Sequence, residues 1–189
     1  MAESALSLEA TPVLGGTDLT LGENRVRQRD DLALVSVATP LDGEDALASA
    51  LDSGWGLSMP GPTVSSIRGE TRAIRTGPDQ ILLVFPHGTH GAEALVKSKL
   101  DGAGYTTDQS DALVALEISG PETLPALERL CPLDTASMPE NAAARTVMEH
   151  MGAMILRLGP DRFLLLSASS SARSFLDAVE TSYRYVAKD

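Results

Sequence analysis

Short apolar runs separated by turn residues dominate the chain, and this pattern favours strands over long helices. The strongest run covers residues 32–39, where the β-branched Val35 and Val37 favour a strand. Further strands are predicted at 71–76, 80–85, 105–108, 113–119, 145–151, 153–158 and 163–167, with an edge strand over 17–28 interrupted by a turn at residues 22–24. The segments 71–76 and 80–85 are predicted to pair as a hairpin across a Gly-Pro-Asp turn.

Four segments have the residue spacing of amphipathic helices. The first follows Asp42, a predicted N-cap, and is expected to end at Gly54. The others are predicted at about 92–100, 122–131 and 172–186. The last is preceded by three serines that offer an N-cap, and it carries two i,i+4 charge pairs, Arg173 with Asp177 and Glu180 with Arg184. Residues 55–70 hold three glycines and two prolines and are predicted to form a structured loop.

The sequence repeats itself in order. GPDQILLVFP at 77–86 recurs as GPDRFLLLSA at 159–168, Ser58-Met59-Pro60 recurs as Ser137-Met138-Pro139, and the strand around Leu34 recurs around Leu116. Displacements of 82, 79 and 82 residues indicate an internal duplication. The predicted fold is therefore α+β, with duplicated β-β-α-β-β-α halves and largely antiparallel sheets that carry helices on one face.

The predicted organisation is a single domain over residues 17–189, made of repeats at about 17–104 and 105–189 and preceded by an extended N-terminal arm at 1–16. The arm mixes small, acidic and turn-forming residues, which leaves it frayed in a monomer. Its apolar residues Leu6, Leu8, Val13 and Leu14 are placed to dock on a partner.

The formal net charge of −11 argues against general nucleic-acid binding, which needs clustered Lys and Arg to neutralise phosphates. Cys131 is the single cysteine, so no internal disulfide is possible, in keeping with a reducing compartment. The N-terminal segment lacks the basic start and apolar stretch of a secretory signal, and no run is long enough to cross a bilayer. These features together predict a cytoplasmic protein with no membrane association.

Sequence motifs for nucleotide or metal chemistry are weak. Gly102-Ala103-Gly104 lacks the third glycine of a dinucleotide-binding loop. His87 and His90 lie three residues apart without a third nearby ligand. Cys131 has no neighbouring base to activate it and is expected to be buried, and His150 is expected on the surface of a strand.

Arg68, Arg72 and Arg75 form a local positive patch, either a folate or carboxylate clamp or a solvated hairpin. Arg72 and Arg75 are expected on opposite sides of a strand because their spacing is odd. Trp55, Met59 and Met138 are expected to pack in a core or an interface. No catalytic, cofactor-binding or metal-binding residue is predicted.

The repeated Gly-Pro-Asp turns, CPLD at 131–134 and residues 144–186 resemble the gamma subunit of heterotetrameric sarcosine oxidase. The stretch S-x-A-R-S-F-L-D at 170–177, which runs into the last helix, is the most specific part. The resemblance covers most of the chain from about residue 30. It implies a fold similar to the folate-binding domain of the glycine-cleavage T-protein, in which two duplicated halves exchange their first strands. We expect no additional C-terminal domain of the kind that protein has, because 189 residues leave no room for it. The sequence does not contain the K-G-C-Y-x-G-Q-E motif of related iron–sulfur-assembly proteins.

The resemblance implies a non-catalytic, structural role in a cytoplasmic complex with alpha, beta and delta subunits. That complex demethylates sarcosine to glycine, with formaldehyde or 5,10-methylene-tetrahydrofolate and hydrogen peroxide as co-products. The alpha and beta subunits of the resembled enzyme carry NAD, FAD, FMN and tetrahydrofolate, its delta subunit binds zinc, and its gamma subunit holds no cofactor. Two alternatives stay open: a free-standing folate-binding or aminomethyl-transfer domain, and the gamma subunit of a sister complex acting on another N-methyl amine.

Overall fold

Two antiparallel sheets, each covered on one face by two helices, make up the structure, a computed structural model that describes residues 11–88 and 90–187. The strands are β1 Asp18–Leu21, β2 Asn24–Gln28, β3 Leu32–Ala38, β4 Ser66–Arg68, β5 Thr71–Gly77, β6 Gln80–Pro86, β7 Tyr105–Asp108, β8 Leu113–Ser119, β9 Ala143–Met148, β10 Met151–Gly159 and β11 Arg162–Ala168. The helices are α1 Glu44–Trp55, α2 Ala92–Leu100, α3 Thr123–Leu130 and α4 Ala172–Val186.

The two sheets exchange strands between the halves of the chain. The first sheet has the order β4-β5-β6-β3-β7, and the second has the order β1-β2-β8-β11-β10-β9. The β1–β2 hairpin at the start of the described chain therefore belongs to the second sheet, while β7, which opens the second half, completes the first. The α+β fold class predicted from the sequence pattern and the strand exchange implied by the resemblance are both confirmed.

Three apolar clusters give the protein a helix–sheet–sheet–helix layering. One lies between the first sheet and α1 and α2, and includes Val35, Leu83 and Val96. Another lies between the second sheet and α3 and α4, and includes Leu165 and Phe175. The third lies between the two sheets and is formed by Leu32, Leu34, Ile74, Leu82, Val84, Ala115, Ala143, Leu156, Leu164 and Leu166.

The repeated apolar runs form the central strands β6 and β11 because these strands are buried on both faces. In β6, Leu82 faces the other sheet while Leu83 faces the helices. In β11, Leu164 faces the other sheet and Leu165 faces the helices. A strand covered on both sides needs apolar residues at every position, which explains the unbroken runs after each Gly-Pro-Asp turn.

The duplication is visible in the strand register, with one refinement. Gln80 pairs with Ala38, and Arg162 pairs with Ser119, so β6 and β11 are displaced by 82 residues but β3 and β8 by 81. Leu34 consequently corresponds to Ala115, and both contact the opposite sheet. The match of Leu34 to Leu116 was wrong by one residue, which in a strand places a side chain on the other face.

The ends of α1 differ from the predicted ones. Gly43 occupies the N-cap position, and Asp42 precedes it with a φ of 58°. Gly54 lies inside the helix, where a Cβ would come within 2.8 Å of the Lys99 carbonyl oxygen. The helix ends at Gly56, whose φ of 64° is the left-handed conformation that glycine adopts most readily.

Three other local predictions were also wrong. Residues 55–70, predicted as a loop, contain β4, which pairs with β5. The turn between β9 and β10 falls at Glu149 and His150 rather than at Gly152, so His150 lies in a turn and not in a strand. Ser171 stands at the N-cap of α4 but makes no capping bond, since its hydroxyl donates to the Ala168 carbonyl oxygen.

The remaining elements agree with their predictions to within about two residues, and the two ion pairs on α4 are present. Residues 1–10 of the predicted arm, with Leu6 and Leu8, lie outside the described residues. Leu14 packs against the second sheet's cluster, and its N–H donates to the side-chain oxygen of Gln28 over 3.2 Å. No helix within residues 11–88 and 90–187 is long and apolar enough to span a membrane.

Candidate functional site

Polar side chains occupy both ends of the interface between the two sheets, where the apolar cluster stops. At one end Arg29, Arg72 and Arg162 line a cavity of about 160 Å³, which we call the arginine cavity. At the other end, Ser36, Gln80 and Arg145 are among the residues lining a groove of about 380 Å³, the polar groove. These two sites bring together residues from both halves of the chain.

Strand alternation points the arginines into the arginine cavity. Arg162 precedes the inward-facing Leu164 by two residues in β11, and Arg72 precedes the inward-facing Ile74 by two residues in β5. Arg29 follows β2, where its backbone N–H donates to the Ala115 carbonyl oxygen over 2.9 Å.

A charge network links two of these arginines to carboxylates. Arg29 donates to Glu117 over 2.5 Å and to Asp31 over 2.7 Å, and Arg162 donates to the other oxygen of Glu117 over 2.7 Å. Burial alone would raise the pKa of Glu117, but the hydrogen bonds from Arg162 and Arg29 outweigh it and lower that pKa. The hydrogen bond from Arg29 likewise lowers the pKa of Asp31. Both carboxylates are therefore ionised at neutral pH, and both arginines are fixed in place.

Arg72 differs from the other two arginines because its partner is neutral. Its Nη1 donates to the side-chain oxygen of Asn141 over 2.9 Å, the one hydrogen bond its side chain makes among the described residues. Burial lowers the pKa of Arg72, and repulsion from Arg162 lowers it further. The cavity thus contains a partly desolvated guanidinium that lacks a hydrogen-bonded carboxylate.

The polar groove is the equivalent of the arginine cavity in the other half of the duplication. The displacement of 82 residues places Gln80 where the second half has Arg162, and Arg72 where the second half has Met154. Gln80 donates to the Ser36 hydroxyl over 3.0 Å, and Arg145 donates to the Thr76 carbonyl oxygen over 3.0 Å. One end of the interface is therefore charged and the other mainly neutral.

The predicted arginine patch does not converge on one site. Arg72 reaches the cavity, but Arg75 lies on the other face of β5, as its spacing predicted, and donates to the Pro60 and Pro78 carbonyl oxygens over 3.0 and 2.7 Å. Arg68 lies beside Gly56, since a Cβ added to Gly56 would lie 3.3 Å from the Cδ of Arg68. The sequence did not reveal the residues that complete the network, which are the carboxylates Asp31 and Glu117 and the arginines Arg29 and Arg162. Glu117 is the single charged residue in the run LVALEIS, and this was the one signal that could have drawn attention to them.

The other residues considered from sequence lie apart from both sites. Cys131 is buried, its thiol donates to the Leu127 carbonyl oxygen over 3.6 Å, and burial raises its pKa. The ring of His87 lies 5.8 Å from that of Phe85. Trp55 and Met59 pack beside the first sheet's cluster and Met138 beside the second's, which confirms their predicted packing role. Within the described parts of the chain, His, Cys, Asp and Glu form no group suited to a metal ion.

Sequence comparison relates the chain to subunits of one kind of enzyme. The chain is 30% identical over 130 residues to the sarcosine oxidase subunit gamma of Corynebacterium sp. (strain P-1). By sequence, it resembles the sarcosine oxidase gamma subunits. The alignment covers 68% of this chain and 63% of that relative, and a gamma subunit from Arthrobacter sp is also 30% identical, over 66% of this chain and 61% of its own length. The chain thus spans less than two thirds of the curated relatives it matches, and no protein-family model matches it.

Solved structures agree on the fold. A chain of the heterotetrameric sarcosine oxidase from Corynebacterium sp. U-96, in complex with pyrrole 2-carboxylate, superimposes with a TM-score of 0.75 at 20% identity, covering 89% of both chains. The glycine cleavage system aminomethyltransferase T from Bartonella henselae gives a TM-score of 0.60 at 18% identity, covering 80% of this chain and 44% of its own. At these identities the likeness establishes the fold alone.

Proposed function

We propose that this chain is the gamma subunit of a heterotetrameric sarcosine oxidase-type flavoenzyme. The observation that carries this proposal is the 30% identity to two sarcosine oxidase gamma subunits, joined to a fold shared over 89% of a chain of a solved heterotetrameric sarcosine oxidase. The complex would oxidatively demethylate sarcosine to glycine, with formaldehyde or 5,10-methylene-tetrahydrofolate and hydrogen peroxide as co-products. The role of this chain is structural, and it acts in the cytoplasm.

The proposed partners are alpha, beta and delta subunits. FAD, FMN, NAD, tetrahydrofolate and zinc would be carried by those subunits, and this chain would brace the flavin-bearing ones. The sequence motifs for nucleotide binding are weak in this chain, which supports a division of labour between subunits.

One corner of the first sheet has the features of a partner contact. Leu41, just after β3, is 94% exposed, and Tyr105, at the start of the edge strand β7, is 70% exposed. The register pairs Ala38, the last residue of β3, with Tyr105, so Leu41 and Tyr105 lie at the same end of the sheet. Exposed large apolar residues next to an unpaired strand edge are favourable surfaces for another chain.

Co-expression of the subunits with and without this chain tests the proposal. We expect omission to reduce assembly, flavin content and sarcosine turnover together, because the flavin-bearing subunits lose a packing surface. A matched pair of variants locates the contact: Leu41→Asp should weaken assembly, while Ser174→Asp, an equal charge on the exposed face of α4, should not. Normal assembly, flavin content and turnover without the chain would contradict the proposal.

The free-standing folate-binding alternative rests on the fold shared with the aminomethyltransferase T of Bartonella henselae. It predicts saturable tetrahydrofolate binding by the chain alone, which calorimetry would detect. No heat at high folate concentration would remove it. The sister-complex alternative is tested by supplying the assembled complex with a series of N-methyl amines, since the preferred amine gives the highest ratio of kcat to KM.

A further inference from the structure

The arginine cavity contains more positive charge than its hydrogen-bonded carboxylates neutralise. Arg29, Arg72 and Arg162 line it, whereas Glu117 and Asp31 are the carboxylates bonded to Arg29 and Arg162. Three guanidinium groups against two carboxylates leave an excess of one positive charge. Glu70 also lines the cavity, and Glu140 attracts Arg72 without a hydrogen bond to it. Both side chains are exposed, so water screens their charges much more than it screens the charges inside.

The excess positive charge is that of Arg72, which has no hydrogen-bonded carboxylate among the described residues. A guanidinium offers five N–H donors in a planar fork, and Arg72 uses one of them on the neutral amide oxygen of Asn141. Its neighbours Arg29 and Arg162 are held in place by Glu117 and cannot turn away. The site is therefore preorganised: two guanidinium groups already bound to a carboxylate surround a third whose donors remain available.

We propose that the arginine cavity is a binding site for a small monocarboxylate, held by a two-pronged contact with Arg72 and by the nearby charge of Arg162. The parallel N–H groups of arginine match the two oxygens of a carboxylate. A single negative charge balances the excess of one, whereas a dianion such as phosphate overcompensates it. The volume of about 160 Å³ favours a ligand the size of formate, acetate or glycolate over a folate or a nucleotide.

The duplication gives an internal comparison for this site. The position equivalent to Arg72 is Met154, and the position equivalent to Arg162 is Gln80, so the polar groove lacks both of these arginines. The groove does contain Arg145, but that side chain is exposed and donates to the Thr76 carbonyl oxygen. The same fold therefore accepts a methionine at the position that Arg72 occupies. Carboxylate binding is expected at one end of the sheet interface and not at the other.

Isothermal titration calorimetry on the 189-residue chain tests the assignment, with sodium acetate as the probe and sodium chloride of equal ionic strength as the blank. A ligand of so few atoms is expected to bind with a dissociation constant of about a millimolar. Arg72→Met should weaken binding at least about tenfold, because it removes the two-pronged contact. Arg68→Met, the matched control, removes the same charge from the neighbouring strand outside the cavity and should leave binding unchanged.

A second variant keeps the test informative if Arg72→Met unfolds the chain. Glu70→Gln changes an exposed side chain at the cavity and removes a repelling charge, so it should tighten acetate binding by about twofold to fivefold. Absence of acetate binding to the unmodified chain would overturn the proposal. Equal binding by the folded Arg72→Met variant, weaker binding by Glu70→Gln, or tighter binding of phosphate than of acetate would each overturn it too. The experiment needs no other subunit, so its failure leaves the proposed assembly role untouched.

Discussion

Replacement of Glu117 by glutamine perturbs the charge network between the sheets while leaving the shape of the side chain almost unchanged. The carboxylate is 17% exposed and accepts from Arg29, itself 9% exposed, and from Arg162, which is 50% exposed. A glutamine can accept from one of these arginines with its oxygen, but its NH2 group then faces the N–H donors of the other. One of the two charge-assisted bonds is therefore lost, and the remaining bond becomes one to a neutral acceptor.

The expected cost follows from the exposure of each partner. Hydrogen bonds to charged groups contribute about 1.5–3 kcal/mol when sheltered, which applies to Arg29. The bond to the half-exposed Arg162 contributes about 0–1 kcal/mol because solvent screens it. Asp31 continues to hold Arg29, so the loss stays below that of breaking a fully buried pair. We expect Glu117→Gln to lower the free energy of unfolding by about 2–3 kcal/mol.

Urea denaturation at pH 7 measures this loss, and a pH series adds a second signature. The folded-state pKa of Glu117 is lowered, so the stability from this group is fully present above its unfolded pKa of about 4.3 and is lost as pH falls through the folded value. The unmodified chain should therefore lose stability more steeply than Glu117→Gln as pH falls below about 5.

Asp18→Asn is the matched control, because its ion pair with Arg25 joins side chains that are 42% and 56% exposed. It should cost much less than Glu117→Gln, because solvent screens the charges of an exposed pair. Equal effects of the two substitutions would refute the reasoning, since it depends on the difference in burial. A pH profile of Glu117→Gln parallel to that of the unmodified chain would refute it as well.

Three further substitutions test the packing. Gly120 has a φ of 125°, and the Cβ of an alanine there would lie within 2.6 Å of the Asn24 Cα. Gly120→Ala should therefore displace the turn of the exchanged β1–β2 hairpin and lower the free energy of unfolding by at least about 3 kcal/mol, measured by urea denaturation. A loss below about 1 kcal/mol would contradict this. Leu156→Ala opens a cavity between the sheets and should cost about 2–5 kcal/mol, and a near-neutral result would mean that the sheets are not tightly packed. Burial raises the pKa of Tyr183 to about 12. The stability that this group contributes is therefore present below its unfolded pKa of about 10 and is lost as pH rises towards 12. Tyr183→Phe should remove that alkaline loss, and an unchanged fall of the free energy of unfolding with rising pH would contradict the assignment.

The elements that sequence predicted best are those whose burial leaves a strong pattern. Strands β6 and β11 are covered on both faces and give unbroken apolar runs, while α4 is covered on one and gives a clear stripe. The duplication was visible because each half needs the same Gly-Pro-Asp corner before such a strand. The strand exchange came from the family resemblance, since the short strands β1, β2 and β7 carry too few buried apolar residues to indicate which sheet they join.

The arginine cavity could not be predicted because its residues are distant in the chain. Arg29 and Glu117 are separated by 88 positions, and Arg162 and Glu117 by 45, so no local spacing reveals them. Closeness in sequence suggested a single patch formed by Arg68, Arg72 and Arg75. In the strands, however, Arg68 lies beside Gly56, Arg72 contacts Asn141, and Arg75 contacts the Pro60 carbonyl oxygen. The β9–β10 turn was misplaced because Gly152 is the obvious breaker, whereas Glu149 and His150 take the positive φ angles.

Affinity capture of the tagged chain from its native host tests the central claim most directly, with mass spectrometry of the co-purifying chains and an absorption spectrum of the eluate. The assembly role predicts co-purification of the flavoprotein subunits of a sarcosine oxidase-type complex, a flavin spectrum and sarcosine-dependent formation of hydrogen peroxide. Recovery of the chain alone, with no flavin and no sarcosine oxidation, would contradict it.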